Sequence, residues 1–430
     1  MVKLIDSFSR LSPIKILLAG DLMLDSYTLG KVKRISPESP VPVLNVVKES
    51  VLAGGAGNVA INLKTLGCQV HMLSRVGHDQ KGQELIQIIE KEGVHTEDIF
   101  LDPFYMTPVK KRMIAEGQQL LRVDYEETHP IDTELENMIL ERIPFILEGV
   151  NLVCVSDYGK GFLSDAILAS LILEARSRNI PVIIDPKGID FKKYKGATII
   201  KPNLSEAYLG SASLPNESLD VVARKILADT EVEHVVITRS ADGISVFSKD
   251  GAIVHASIPD KQVKEVKDVT GAGDTVMAIL SLAVGNQFSL VDSLDLANLA
   301  ASLSVEQLGC ARISLEQIAE RLFSFDHRYK IFDEQYLHVF RKILGNCAYS
   351  LISVDAYEDL SISLLKKLHG LSKVSKQQKV IVCIKNASRE AEIVDLIAAW
   401  KDVDFVLLES LQVKKTLEFT STQNISQLKN

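Results

Sequence analysis

The chain has 430 residues, of which 46% are hydrophobic and 24% charged, a composition typical of a folded globular protein. Its 48 Lys and Arg residues and 56 Asp and Glu residues leave a net charge of −8, which argues against nucleic-acid binding through a general basic surface. No apolar run reaches the roughly 18–20 residues of a membrane span, and the first residues lack the pattern of a secretory signal. We therefore expect a cytoplasmic protein that contacts neither nucleic acid nor membrane.

From residue 15 to about 325, short aliphatic runs alternate with longer helical patterns, which predicts an α/β fold with a mostly parallel sheet between helices. Five runs pass from aliphatic residues to a polar residue at their carboxyl end, namely 15–21, 152–157, 181–186, 198–203 and 234–239. Because ligands bind at the carboxyl ends of strands in open α/β sheets, the five runs predict one cleft. The alternative is that each polar residue only marks the point where a strand leaves the core.

Two further segments, 41–52 and 108–127, have a mixed, two-sided polarity that does not suit a buried central strand. Glu116 and Gly117 are suited to a turn within the second segment. We expect both segments to form a small separate sheet, either as a lid over the cleft or as a dimer contact.

The pattern changes near residue 326, where a stretch dense in charged and aromatic residues begins. A second, shorter alternation follows, with predicted strands at 350–355, 379–385 and 404–409. The sequence therefore predicts two domains, residues 1–325 and a small α/β domain over residues 326–430.

The sharpest motif is DVTGAGD over residues 268–274, directly before an apolar helical pattern. Gly271, Ala272 and Gly273 allow backbone N–H groups to approach an anion at the start of that helix, where the helix dipole also favours negative charge. Asp274 lies in the first turn, where a carboxylate next to a phosphoryl group could accept the proton of an attacking hydroxyl. The alternative is an ordinary aspartate of a first helical turn.

A second glycine-rich segment, AGGAGNVA, covers residues 53–60. Gly54 and Gly55 permit close approach of a ligand to the backbone, and the amide of Asn58 can serve hydroxyl donors and acceptors. The segment also matches the G-x-G-x-x-A dinucleotide fingerprint. That match is weak, because the glycines do not directly follow the first core strand.

The motif KPNLSE over residues 201–206 follows a predicted strand and offers Asn203 and Glu206. An amide and a carboxylate at this spacing could hold a hydrated Mg²⁺ ion, or they could form a capping box at a helix start. Another predicted strand ends in a hydroxyl, a guanidinium and a turn, from Thr238 and Arg239 to Gly243, which suits the edge of a nucleotide-phosphate site.

Taken in order, these segments resemble the ribokinase-like (PfkB) sugar kinases over about residues 14–325. The resemblance rests on AGGAGNVAIN and DVTGAGDTV, and it narrows to the heptose-7-phosphate kinases through GDLMLDSY at 20–27, RISPESPVPV at 34–43, SDYGKG at 156–161 and DPKG at 185–188. It implies a ribokinase-like fold, a mostly parallel sheet flanked by helices with a small β lid. It also implies a homodimer through that lid.

The resemblance assigns roles to individual residues. It implies that Asp274 is the catalytic base and that Gly271, Ala272 and Gly273 form the anion hole for the transferred group. The implied sugar ligands are Asp21, Gly54, Gly55 and Asn58, and the candidates for the distal phosphate are Arg34, Lys160 and Lys187. The implied nucleotide-binding residues are Asn203, Leu204, Ser205, Glu206, Thr238, Arg239, Gly243 and Asn298, with Glu206 holding Mg²⁺ through water.

The implied reaction is ATP-dependent phosphorylation of D-glycero-β-D-manno-heptose 7-phosphate at O-1, which gives heptose 1,7-bisphosphate for ADP-heptose and the lipopolysaccharide core. The alternatives are a kinase for another sugar or sugar phosphate and a non-catalytic sugar-phosphate sensor or scaffold. A nicotinamide oxidoreductase is the weakest alternative.

Many relatives of such kinases carry a nucleotidyltransferase with an H-x-G-H motif, and residues 326–430 contain no two histidines at that spacing. Where the pair would fall, the chain has Asp355, Glu358 and Asp359, which would repel nucleotide phosphates. We expect a degenerate transferase-like domain without adenylyltransferase activity. The alternative is an unrelated small α/β domain.

Overall fold

The computed structural model describes residues 8, 10–256, 266–307, 309–325, 330–334, 336–344, 347–356, 366, 368–370, 378–388, 391–410 and 413. The chain forms two compact units. The large unit is Leu11–Ser314, and the small unit combines Met1–Arg10 with Leu315–Asn430. The predicted boundary lay at 325/326, after a helix that the structure groups with the small unit.

The strands of the large unit are, in chain order, β1 Lys15–Gly20, β2 Leu22–Ile35, β3 Pro42–Gly55, β4 Gln69–Gly77, β5 His95–Asp102, β6 Val109–Ala115, β7 Gln118–Tyr125, β8 Leu152–Ser156, β9 Val182–Asp185, β10 Ile199–Ile200, β11 His234–Thr238, β12 Ile244–Ser248 and β13 Ile253–Ala256. Its helices are α1 Ala56–Thr65, α2 Gln80–Lys91, α3 Thr133–Ile146, α4 Asp165–Ser177, α5 Leu204–Gly210, α6 Leu219–Thr230, α7 Ala272–Gly285 and α8 Leu290–Ser304. Short 3₁₀ turns occur at Lys192–Tyr194 and Ser240–Asp242.

Among the described residues, nine strands form the central sheet in the order β13-β12-β11-β10-β9-β8-β1-β4-β5. The pairs from β5 across to β11 are parallel, and β12 and β13 run antiparallel at one edge. Strands β1 and β8 are buried along almost their whole length because helices cover both faces of the sheet, so their sequences are continuous aliphatic runs. The predicted fold class is confirmed.

The lid is a separate four-stranded sheet in the order β3-β2-β6-β7. Strands β6 and β7 are joined by Glu116 and Gly117, both with positive φ, as a two-residue hairpin turn requires. Strand β2 starts one residue after β1 and runs for 14 residues from the core sheet into the lid. The sequence analysis did not predict β2 as a strand, because its buried first four residues are followed by a mixed pattern that ends in exposed Lys31, Lys33 and Arg34.

Helix α7 is apolar around most of its circumference, and residues 274–283 are all buried. It packs against α1 on one side, α8 on another and strand β8 beneath. This three-sided packing fixes the axis of α7, so that its first turn is held at the carboxyl edge of the sheet.

The described elements of the small unit are α9 Leu315–Phe325, β14 Ile331–Phe332, α10 Leu337–Leu344, β15 Tyr349–Asp355, β16 Lys379–Lys385, α11 Glu392–Ala398 and β17 Phe405–Leu408. The strands are parallel in the order β14-β17-β16-β15. The three strands predicted here are therefore present. Positions 357–365, which include Glu358 and Asp359, lie outside the described residues, and the transferase-like origin of this unit stays a prediction.

Within the part of the chain that the structure describes, no helix is both long enough and apolar enough to cross a membrane.

Candidate active site

The polar residues that follow the strands of the central sheet gather at one edge. Asp21 follows β1, Asp157 follows β8, Asp185 ends β9 and Lys201 follows β10. They meet there because neighbouring parallel strands end on the same side of the sheet. This edge, the start of α7 and the base of the lid form the candidate active site.

Helix α7 begins at a loop that only glycine can complete. Gly271 is its N-cap residue, with φ of 79°, and a Cβ atom there would lie 3.1 Å from Nδ2 of Asn58. The loop is held by Asp268, whose carboxylate accepts the N–H groups of Thr270 and Gly309, each at 2.9 Å. A Cβ on Gly273 would have no atom within 4 Å, so the first turn of α7 faces open space. Its free N–H groups suit an anion.

Asp274 lies in this first turn and is 9% exposed. Nδ2 of Asn58 donates to one carboxylate oxygen at 2.6 Å, and the Tyr158 hydroxyl donates to the other at 3.0 Å. Burial raises the pKa of Asp274 to about 6, and the negative charge of Asp185 adds to this, while the hydrogen bonds from Asn58 and Tyr158 oppose it. A carboxylate with this pKa is ionised at neutral pH and still basic enough to take a proton from a hydroxyl.

Asp21 has a different setting from the one predicted. Its carboxylate accepts the backbone N–H groups of Tyr158 at 2.9 Å, Lys160 at 3.0 Å and Phe162 at 3.4 Å, and the residue is 2% exposed. Burial, followed by the charge of Asp157, raises its pKa. In this structure Asp21 therefore anchors the loop after β8, and its contact with a sugar stays a prediction.

Asp25, on strand β2, lies beside the second glycine-rich segment, and the sequence analysis did not select it. Its carboxylate pairs with Arg112 of lid strand β6 and lies so close to Gly54 that a Cβ there would collide with it. Gly55 has φ of 57°, and a Cβ there would lie 2.6 Å from the carbonyl oxygen of Asp21. The sequence GDLMLDSY contained a signal for Asp25. Asp21 and Asp25 are four residues apart, and residues at even spacing lie on the same side of an extended chain.

The three basic candidates for the distal phosphate have different settings. Nζ of Lys160 is 2.8 Å from Glu126, and Nζ of Lys187 is 2.8 Å from Glu206 on the side of the KPNLSE motif. Arg34 is exposed near the far end of β2, up to about 30 Å along the strand from Asp25. Arg34 thus lies nine residues along the lid strand from Asp25, whereas Lys160 belongs to the loop after β8 that Asp21 anchors.

The KPNLSE motif forms the capping box that was the alternative interpretation. Oδ1 of Asn203 accepts the N–H of Glu206 at 2.9 Å, and Oε2 of Glu206 accepts the N–H of Asn203 at 3.1 Å. The Ser205 hydroxyl donates to the same Asn203 oxygen at 2.7 Å, and Leu204 is 42% exposed at the start of α5. The motif is thus a rigid helix start at the carboxyl edge of the sheet.

The second predicted nucleotide segment lies next to it, because Asn203 forms a β-bridge with Thr238. Arg239 donates to the carbonyl of Asp242 at 2.7 Å, which closes the turn that ends at Gly243, where φ is 81°. Asn298 is 3% exposed and donates to the carbonyl of Ala256 at 2.9 Å, so its amide joins α8 to β13. Nothing in these contacts places Asn298 against a base.

An ion pair links the ends of the neighbouring strands β9 and β10. Nζ of Lys201 lies 3.0 Å from Asp185, and Lys201 is 3% exposed. Burial raises the pKa of Asp185, and Lys201 counteracts this. Lys201 belongs to the KPNLSE motif, but the sequence analysis did not predict a role for it. Only the pairing of β9 with β10 shows that Lys201 reaches Asp185.

The arrangement is a carboxylate base beside a helix start that suits an anion, at the carboxyl edge of a sheet with a lid. The family described as pfkB family carbohydrate kinase matches residues 15–318. The chain belongs to the PfkB family of carbohydrate kinases.

Curated relatives of this kinase include the Bifunctional protein HldE of Trichlorobacter lovleyi, 42% identical over 329 residues that cover 76% of this chain and 66% of the relative. The Bifunctional protein HldE of Geobacter metallireducens is 43% identical over 313 residues, covering 72% and 63% respectively. The kinase thus spans somewhat less than two thirds of the length of these relatives.

Solved structures support the same fold. Arabidopsis thaliana ribokinase complexed with ribose and ATP superposes with a TM-score of 0.57 at 19% identity, over 72% of this kinase and 99% of that chain. Phosphofructokinase-2 from Escherichia coli in complex with substrates and products gives a TM-score of 0.59 at 19% identity, over 73% and 99%.

Proposed function

We propose that this kinase transfers the γ-phosphoryl group of ATP to O-1 of D-glycero-β-D-manno-heptose 7-phosphate, giving heptose 1,7-bisphosphate and ADP. The observation that carries the proposal is Asp274, which is buried, held by two donors and placed in the first turn of α7 beside open space. This helix start and its neighbours support positioning and electrostatic stabilisation of a transferred phosphoryl group.

In the reaction, the sugar O-1 forms a bond to the γ-phosphorus as the bond from that phosphorus to the leaving oxygen of ADP breaks. Asp274 takes the proton of the 1-hydroxyl, and the N–H groups at Gly271, Ala272 and Gly273 face the charge on the moving phosphoryl group. Lys201 adds a fixed positive charge at the same edge, 3% exposed and tied to Asp185. The chain thereby supplies the base, the anion site and a cation.

Glu206 is suited to Mg²⁺ in a limited way. Mg²⁺ keeps several waters and is usually held by one or two carboxylates together with substrate phosphates, so a complete protein cage is not required. One oxygen of Glu206 is committed to the capping box, and the other pairs with Lys187, a half-exposed side chain that can release it. When bound, the ion would neutralise phosphate charge. Removal with a chelator should stop turnover, and added Mg²⁺ should restore it.

The choice of a heptose phosphate rests on three supports. The motifs GDLMLDSY, SDYGKG and DPKG resemble those of heptose-7-phosphate kinases, and the curated relatives are named Bifunctional protein HldE. The Asp25–Arg112 pair and the Gly54–Gly55 backbone form a polar wall for sugar hydroxyls, and Lys160 offers a charge for a distal phosphate. A cytoplasmic location, where ATP and sugar phosphates are available, belongs to the same proposal, as does a role in ADP-heptose and lipopolysaccharide core synthesis.

The test is product analysis by mass spectrometry with ATP, Mg²⁺ and a panel of heptose, hexose and pentose phosphates. Preferential formation of heptose 1,7-bisphosphate supports the proposal. Preference for another sugar would assign a different substrate to the same chemistry, and no turnover of any sugar with intact ATP binding would favour a sensor.

We further propose that the kinase is a homodimer through its lid. The lid exposes a group of large apolar side chains to solvent, namely Ile35, Val46, Val47, Leu120, Leu121 and Tyr125. Substitution Val47→Glu should convert dimer to monomer in sedimentation experiments, whereas Phe145→Glu, at an equally exposed position on α3, should not. A wild-type monomer would refute the proposal.

The small unit is proposed to lack adenylyl transfer, because the H-x-G-H residues are missing from its sequence. Its four parallel strands support a shape like that of a nucleotidyltransferase only at the level of a common α/β architecture. Formation of ADP-heptose from ATP and heptose 1-phosphate by the full chain would refute the proposal.

A further inference from the structure

The loop after β8 brings a tyrosine hydroxyl to the proposed base. Tyr158 donates to Oδ1 of Asp274 at 3.0 Å, while its own backbone N–H is bound by Asp21 at 2.9 Å. The same Asp21 oxygen accepts the N–H of Lys160 at 3.0 Å. The tyrosine is therefore fixed at its backbone and extends only its side chain toward Asp274.

A second carboxylate braces the loop from the other side. Asp157 accepts the N–H of Gly159 at 2.7 Å, and its other oxygen accepts the Tyr194 hydroxyl at 2.7 Å and Nζ of Lys193 at 2.6 Å. With Asp21 and Asp157 bound to alternate amides, the loop has little freedom to move Tyr158. A loop held this firmly is suited to placing one side-chain atom with accuracy.

The direction of the Tyr158 hydrogen bond is determined by its partner. An ionised carboxylate only accepts, so the tyrosine donates. Burial, followed by the charge of Asp274, raises the pKa of Tyr158 well above its usual value, so the phenol keeps its proton. Since Asn58 donates to Oδ2, the two carboxylate oxygens are held by donors from two different elements.

We infer that Tyr158 is a positioning residue for phosphoryl transfer, whose hydroxyl fixes the orientation of the Asp274 carboxylate and sustains its ionised form. The inference rests on the proposed role of Asp274 as base. The sequence analysis predicts a role for only one residue of the SDYGKG loop, Lys160, and no simple spacing links residue 158 to residue 274.

Other charged and titratable groups also act on Asp274. They lie on β8, at the end of β9, after β10 and near Gly271, and they are Cys154, Asp185, Lys201 and Cys310. None of them is altered by Tyr158→Phe, which removes one hydroxyl and keeps the ring. A change in the ionisation of Asp274 in that variant therefore reports on the hydroxyl.

The experiment measures the pKa of Asp274 in two ways. The first is the pKa of the acid limb in the pH profile of kcat/KM for the sugar phosphate. The second is the pH dependence of the free energy of unfolding, compared with that of an Asp274→Asn variant in the same background. This second measurement needs no substrate. In Tyr158→Phe we expect both to move upward by about one pH unit, tenfold in the ionisation equilibrium, because a donor to the charged form is lost. The KM for ATP should not change.

Tyr194→Phe is the matched control, since it removes a buried hydroxyl from Asp157 in the support of the same loop. Its acid limb should stay in place, because Lys193 still holds the same Asp157 oxygen and the Gly159 N–H still donates to the other. Incorporation of 3-fluorotyrosine at position 158, a stronger donor of nearly the same shape, should move the limb downward and provides the test if Tyr158→Phe does not fold. An unmoved limb in the folded position-158 variant, or an equal shift in Tyr194→Phe, would overturn the inference. If no sugar phosphate is turned over, the proposed function fails, and the unfolding comparison still decides the role of Tyr158.

Discussion

Substitution of Asp274 by asparagine removes a charge from the cleft while keeping the shape of the side chain. Burial raises the pKa of Asp274 from its ordinary value of 3.8 to about 6. At 1.36 kcal/mol per unit, the folded protein at neutral pH bears a cost of about 3 kcal/mol for keeping this carboxylate ionised. Asparagine does not bear that cost.

The two hydrogen bonds can survive the substitution. The amide oxygen of asparagine can accept from Asn58, and the Tyr158 hydroxyl can rotate to accept from the new NH₂ group, since a phenol both donates and accepts. We therefore expect Asp274→Asn to lose at least about 10²-fold in kcat, as for removal of a general base, and to gain up to about 3 kcal/mol in the free energy of unfolding at pH 8.

The gain should depend on pH in a defined direction. Because the folded-state pKa of Asp274 lies above its ordinary value, protonation stabilises the wild type, fully below about pH 3.8, and this contribution is lost as pH rises through about 6. The variant should thus gain stability relative to the wild type between these values and keep a constant advantage above them.

Product formation and denaturant-induced unfolding of the large unit, both from pH 5 to pH 8, provide the measurement. Undiminished turnover would refute Asp274 as the base. A stability difference that does not change with pH would refute the raised pKa, even if turnover is lost.

Two other substitutions test the remaining parts of the site. Gly54→Ala places a methyl group against the Asp25 carboxylate and should raise the KM for the sugar at least severalfold with little change in the KM for ATP, measured by steady-state kinetics; Gly370→Ala, where a Cβ meets no atom within 4 Å, is the control. An unchanged sugar KM would remove Asp25 from the sugar site. Lys201→Met should cost about 3 kcal/mol in unfolding free energy, because it leaves the Asp185 carboxylate without its partner, and the double variant with Asp185→Asn should recover most of it. No recovery would show that the two residues do not act as a pair.

The central sheet could be predicted because burial on both faces leaves a strong local signal. Strands β8 and β9 are short aliphatic runs, and their ends were located to within a residue or two. Strand β2 could not be found in this way, since its burial becomes partial after the first four residues and its exposed part carries Lys31, Lys33 and Arg34. Its identity as a strand depends on pairing with β3 and β6, which local polarity does not report.

The site was predicted where local chemistry is sufficient and missed where contacts are distant in sequence. The glycines before Asp274 and the helix after it lie within one motif, so the helix start could be predicted. The partners of Asp21 are amides about 140 residues away, so its anchoring contacts could not be predicted from the sequence. For Asn203 and Glu206 the sequence allowed a metal site or a capping box. The structure shows the capping box, and the metal site stays a prediction.

Asp21 also has a mechanical consequence, because it is the single residue between the core strand β1 and the lid strand β2. Its carbonyl accepts the N–H of Ala56 at 3.0 Å, at the start of the helix that carries Asn58, and its carboxylate holds the loop that carries Tyr158. The root of the lid is therefore joined to both donors of the Asp274 carboxylate. A substitution at Asp21 would therefore disturb the root of the lid and both donors together.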